Sequence, residues 1–148
     1  MSSYNNEVEI LLVEDNPNDA ELTMRSLKKN NLANRVVHAT DGVEALEFIF
    51  AKGAHSERKI EDKPKVVILD LKLPRVDGIE VLQEMKSDPR TKKIPIVVLT
   101  SSQEDHDLDK CYELGVNSYI VKPVDFEKFT AAIKDLGLYW LVLNQAPL

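Results

Sequence analysis

Short apolar runs alternate along the chain with stretches in which apolar residues recur every three or four positions. The runs are "VEILLV" (8–13), "VVHA" (36–39), "VVILD" (66–70), "IPIVVL" (94–99) and "SYIVK" (118–122). Each is short and flanked by turn-forming residues, so each reads as a buried strand. The segments between them carry helix signals. Asn16 precedes Pro17, the order of an N-cap and a first helical residue, with Asp19 in the first turn. Ala20, Met24 and Leu27 then give that helix one apolar stripe. Asp41 and Gly42 open a second helix with Val43, Leu46 and Ile49, expected to stop near Gly53. A third follows Asp77 and turns Ile79, Leu82 and Met85 inward. Ser102 and Asp105 resemble a capping box for a fourth, which Gly115 ends. The fifth runs from about Asp125 into the low 140s, and Phe126, Phe129 and Ile133 begin its apolar stripe.

Five strands alternating with five helices predict an α/β fold, a parallel sheet with helices on both faces. Of the two strand orders common in such sheets, five strands favour 2-1-3-4-5. Ligands then bind beyond the carboxyl ends of the strands, where the order reverses.

The chain has 148 residues, the size of one domain: 1–148, with a core at about 8–135 and an extended C-terminal helix and tail at 136–148. A formal net charge of -6 argues against nucleic acid or an anionic membrane as direct partner. Cys111 is the single cysteine, so no intrachain disulfide forms, and a reducing, cytoplasmic setting fits. Its mid-helix position reads as packing. The start, "MSSYNNEVE", does not have the pattern of a signal peptide. No apolar run approaches the roughly 18 residues of a membrane span.

The strand ends carry the candidate chemistry. The first strand ends in Glu14 and Asp15, the third in Asp70, the fourth in Thr100 and the fifth in Lys122. In 2-1-3-4-5 order the first, third and fourth strands are neighbours, so the acids and Thr100 line one crevice, with Lys122 flanking it. Carboxylates gathered this closely repel one another, and one would take up a proton without compensation. A hard divalent cation such as Mg²⁺ removes that cost and leaves positions for phosphate oxygens. A carboxylate can also act as nucleophile and form an acyl phosphate, and Asp70 is the most central. Taken singly, Asn16 and Asp41 read as helix caps, and Asp77 and Gly78 as turn residues. His38, His55 and His106 show no ligand spacing.

The motifs "LLVEDN", "VVILDLKLPRVDG", "IPIVVLTS" and "SYIVKP" resemble the receiver domain of two-component response regulators, across roughly residues 8–135. The resemblance implies a single-domain (βα)5 flavodoxin-like fold. It implies that Asp70 accepts a phosphoryl group from a histidine kinase in a Mg²⁺-dependent reaction. Glu14 and Asp15 would hold the metal with Asp70 and the backbone carbonyl of Lys72. Thr100 and Lys122 would contact the phosphoryl oxygens, Tyr119 would change rotamer with Thr100, and the Lys122–Pro123 bond would be cis. Such a protein is a signalling receiver and not an enzyme acting on other substrates. The long loop at 53–65 and the continuation "LGLYWLVLNQAP" resemble single-domain regulators paired with phytochrome-type kinases. No DNA-binding segment follows, so the expected output is protein contact. The all-round apolar run "LYWLVL" (138–143) points to a homodimer with Tyr139 and Trp140 in its interface.

Two other functions fit the strand pattern. A Mg²⁺-dependent phosphohydrolase working through an aspartyl phosphate calls for acids flanking one residue after the first strand, and a cap domain. Here Glu14 and Asp15 are adjacent. A flavin binder calls for a hydroxyl- and glycine-rich phosphate loop, whereas "EDNPNDA" is acidic.

Overall fold

The computed structural model describes residues 10–29, 35–101, 107–116 and 118–135. Five strands alternate with five helices: β1 (Ile10–Val13), α1 (Pro17–Lys29), β2 (Val36–Ala39), α2 (Gly42–Ile49), β3 (Val66–Asp70), α3 (Gly78–Ser87), β4 (Ile96–Thr100), α4 (Asp107–Glu113), β5 (Ser118–Val121) and α5 (Phe126–Asp135). The strands form one parallel sheet in the order β2-β1-β3-β4-β5, as the apolar pattern predicts. Val13 pairs with Ala39 on one side and Leu69 on the other, and Asp70 pairs with Leu99. Glu14 therefore leaves β1 beside the end of β3.

Side-chain alternation divides the core between the two faces. Ile10, Leu12, Ile68, Val97 and Ile120 pack with Ala20 and Leu27 of α1 and Phe129 and Ala132 of α5. Leu11, Val13, Val67, Leu69 and Val98 pack with α2, α3 and α4, including Ala45, Phe48, Leu82 and Met85. Every residue of β1, β3 and β4 is buried. Burial contributes about 1.5–3 kcal/mol for each large aliphatic side chain, so these central strands form a stiff base for whatever follows them. Cys111 is buried in the second of these clusters, consistent with packing.

Several boundaries differ from the sequence pattern. β4 starts at Ile96, because the Ile94 N–H closes a turn on Thr91 O (3.0 Å) and Pro95 has no N–H to donate. α2 stops at Ile49; Ala51 then takes a positive φ of 54°, and a 3-10 turn spans Gly53–His55. Phe126, expected in the buried stripe of α5, is 40% exposed at the helix start, and Phe129 does the docking. The expected caps Ser102 and Asp105 of the fourth helix, and the run 138–143 with Tyr139 and Trp140, lie outside the described residues.

Candidate functional site

The crevice is built where β1, β3, β4 and β5 release the chain. Past β1, the Glu14 N–H still bonds Ala39 O (3.0 Å), which carries Glu14 inside while Asp15 turns out to solvent. Glu14 is 1% exposed. Its Oε2 accepts the Asn16 N–H (3.1 Å). Asn16 Oδ1 in turn accepts the N–H groups of Asn18 and Asp19 (2.9 and 3.0 Å), the N-cap that starts α1.

Asp70 is the last residue of β3 and is buried. Its Oδ1 accepts the Lys72 N–H (3.0 Å) and its Oδ2 the Lys122 ammonium (2.8 Å). Behind it the chain folds back tightly, with the Gly78 N–H bonded to Leu71 O (3.1 Å). A Cβ at position 78 would lie 2.4 Å from Asp70 O, so only glycine fits there. The "DG" of the motif is thus read twice: Asp77 caps α3 and Gly78 lets that helix start against the end of β3.

Thr100 is buried at the end of β4, and its carbonyl accepts the Lys122 N–H (2.9 Å). The Lys122–Pro123 peptide bond is cis. Tyr119 is half-buried on β5, edge-on to Tyr112 with ring centroids 6.4 Å apart. Lys72 is exposed in the loop after β3.

Lys122 is central and not flanking. Its Nζ lies 2.8 Å from Asp70 Oδ2, 2.9 Å from Glu14 Oε1 and 3.3 Å from Asp19 Oδ2. The Glu14 contact is an ion pair without hydrogen-bond alignment, so that buried oxygen keeps an open acceptor direction. Burial pushes the Glu14 carboxyl up to about 7; the Lys122 ammonium opposes this and Asp70 adds to it. Burial alone would lower Lys122, but the hydrogen bond to Asp70 and the negative charges of Asp70 and Glu14 outweigh it and hold the ammonium above the usual lysine range.

Asp19 is the participant that the sequence pattern does not single out. It reads there as a first-turn acid. The available clue was topological: α1 begins at the functional edge, so a first-turn side chain such as Asp19 can reach the crevice.

Glu14, Asp15 and Asp70 each offer a carboxylate oxygen, and these oxygens lie within 4.8 Å of one another. With Glu14 and Asp70 buried, the open acceptor on Glu14 and oxygen donors only, the set fits a hard divalent cation. The fold and this edge define the class: a doubly wound parallel α/β protein with an acidic crevice at its topological switch point.

The chain belongs to the response regulator receiver domain family, which it matches over residues 10–134. It is 41% identical over 138 residues to the probable methanogenesis regulatory protein FilR2 of Methanothrix harundinacea, covering 93% of this chain and 86% of that protein. Its fold superposes on the bacteriophytochrome response regulator AtBRR with a TM-score of 0.84 at 50% identity, covering 97% of this chain and 99% of that one. It is also similar to the phosphorylated cyanobacterial phytochrome response regulator RcpA, with a TM-score of 0.74 at 37% identity over 96% and 98% of the two chains. Among the described residues no helix is long and apolar enough to cross a membrane.

Proposed function

We propose that Asp70 accepts a phosphoryl group from a histidine kinase in a Mg²⁺-dependent reaction, and that this switches the contacts the domain makes with other proteins. The observation that carries the reading is the surroundings of Asp70. One oxygen meets the Lys122 ammonium at 2.8 Å, and oxygens of Glu14 and Asp15 converge beside it. In the transfer, an Asp70 carboxylate oxygen forms a bond to phosphorus as the donor's P–N bond breaks, and the histidine imidazole leaves. Attack of water on the acyl phosphate later releases inorganic phosphate and restores the carboxylate. Bound Mg²⁺, held by Glu14, Asp15, Asp70 and the Lys72 carbonyl, supplies charge neutralisation for the transferring group. Lys122 supplies a second positive charge at the phosphoryl oxygens. The Thr100 hydroxyl donates to one of them, and Tyr119 follows Thr100 to change the exposed surface of α4 and β5. The domain catalyses only its own phosphorylation and dephosphorylation, in the cytoplasm. The similarity to AtBRR and RcpA favours a phytochrome-type kinase as donor.

Intact mass after incubation with acetyl phosphate and Mg²⁺ tests the reading. A single phosphoryl adduct is expected, absent with EDTA and absent in Asp70→Asn. Full labelling of Asp70→Asn would remove Asp70 from the role.

The apolar run at 138–143 supports a homodimer with Tyr139 and Trp140 at its interface. Light scattering should then give a dimer at micromolar concentration, and Trp140→Glu a folded monomer. A parent protein that stays monomeric, phosphorylated or not, would exclude that assembly.

A further inference from the structure

The loop that leaves Asp70 is fastened to a helix that makes no part of the crevice. Arg75, five residues after Asp70, adopts a φ of 69°. That is the left-handed region, which side chains larger than Asn or Asp rarely occupy. From there its Nη1 reaches Asp41 Oδ2 at 3.1 Å. Asp41 is the N-cap of α2, and its other oxygen, Oδ1, accepts the Glu44 N–H (2.8 Å). Glu44 in turn accepts the Thr40 N–H (2.9 Å) and hydroxyl (3.1 Å), just before the cap. One carboxylate thus serves two duties: one oxygen starts α2 and the other holds the loop after β3.

Backbone contact reinforces the link. The Gly42 N–H points to Pro74 O (3.4 Å), and a Cβ on Gly42 would lie 1.8 Å from Val76 O. At its ends the loop is tied by Lys72 N–H to Asp70 Oδ1 and by Gly78 N–H to Leu71 O. In its middle Leu73 and Val76 pack on the core, Pro74 O meets the Gly42 N–H, and Arg75 supplies the side-chain ion pair to α2.

We propose that the Arg75–Asp41 pair is a clamp that positions the backbone of residues 71–77, and with it the Lys72 carbonyl, for divalent-cation binding. This rests on the metal site proposed above. Arg75 and Asp41 are positioning residues and touch neither metal nor phosphoryl group.

The test is a calorimetric Mg²⁺ titration of the full chain at low ionic strength, with circular dichroism to show that each variant is folded. Arg75→Ala keeps a non-glycine residue at the same backbone angle. Asp41→Asn keeps an N-cap, because Asn caps as well as Asp. Each should weaken Mg²⁺ binding by about two- to fivefold, the range an exposed ion pair supports. The double variant should be no weaker than either single one, because both remove the same contact. Arg75→Lys should recover most of the affinity. A general field effect predicts another pattern: losing a cation would strengthen Mg²⁺ binding, losing an anion would weaken it, and the two would add. Opposite signs, or parental affinity in both single variants, would overturn the clamp alone. A parent protein that binds no Mg²⁺ would overturn the metal site and the clamp with it.

Discussion

Both ends of the sheet collect charge, and they treat it differently. At the carboxyl ends Glu14 and Asp70 are buried, and Lys122 touches three carboxylates. At the amino ends Lys86, Lys92 and Lys93 gather around Pro95, Gly115 and Val116. There Lys92 and Lys93 are exposed, and the Lys86 ammonium donates to Lys92 O (3.3 Å) near the end of α3. Cations at a helix C-terminus are favourable, and solvent disperses their repulsion. Clustering of like charge therefore does not mark a site. Burial of the clustered charge does, because its desolvation cost persists only where something offsets it.

The largest expected effect comes from removing that offset. Lys122→Ala leaves Glu14 and Asp70 inside without their counter-ion. In the parent the Lys122 ammonium holds the raised Glu14 carboxyl down to about 7, so its loss pushes that carboxyl further up. Removing one partner of a fully buried pair costs about 3–5 kcal/mol; this crevice opens to water, so roughly 1–3 kcal/mol is expected in EDTA. Thermal unfolding reads it as a fall of about 3–10 °C for a chain of this size. Mg²⁺ should close much of the gap by replacing the lost charge. Lys92→Ala at the other end keeps the carbonyl that Lys86 uses and should change stability by less than about 0.5 kcal/mol. Equal losses for the two variants would abolish the contrast between the ends.

Much of the carboxyl edge was legible in the chain. An apolar run ending in Asp70 has one sensible place for its acid, the carboxyl edge of a central strand. The same logic placed Glu14, Asp15, Thr100 and Lys122, because each short apolar run marks its strand end to within a residue or two. What escaped depends on tertiary distances. Asp19 obeys a local rule, acid in the first turn, and that rule hid its reach to Lys122. Lys122 read as a flanking cation because nothing local reports that three carboxylates converge on it. Arg75 was invisible because its left-handed backbone contradicts its residue type; a glycine or asparagine there would have announced the turn. Asp41 was read correctly as a cap, but the partner of its second oxygen is 34 positions away.

The smallest expected effect separates the two kinds of carboxylate within the crevice itself. The Asp19 side chain is 41% exposed, lies 3.3 Å from Lys122 and is not among the three acids whose oxygens converge. Its pairing is of the exposed kind, worth at most about 1 kcal/mol, and its charge also favours the start of α1 by a similar amount. Asp19→Asn should therefore lower stability by only about 0.5–1 kcal/mol. Its dependence on metal should run opposite to that of Lys122→Ala. When a cation draws on Glu14 and Asp70, Asp19 is the carboxylate that remains to Lys122, so the penalty should persist in Mg²⁺ while the Lys122→Ala penalty shrinks. Unfolding curves of both variants in EDTA and in Mg²⁺ give the comparison directly. An Asp19→Asn penalty that disappears in Mg²⁺ would place Asp19 among the groups the cation recruits, and would move the boundary between ligand and counter-ion one turn further into α1.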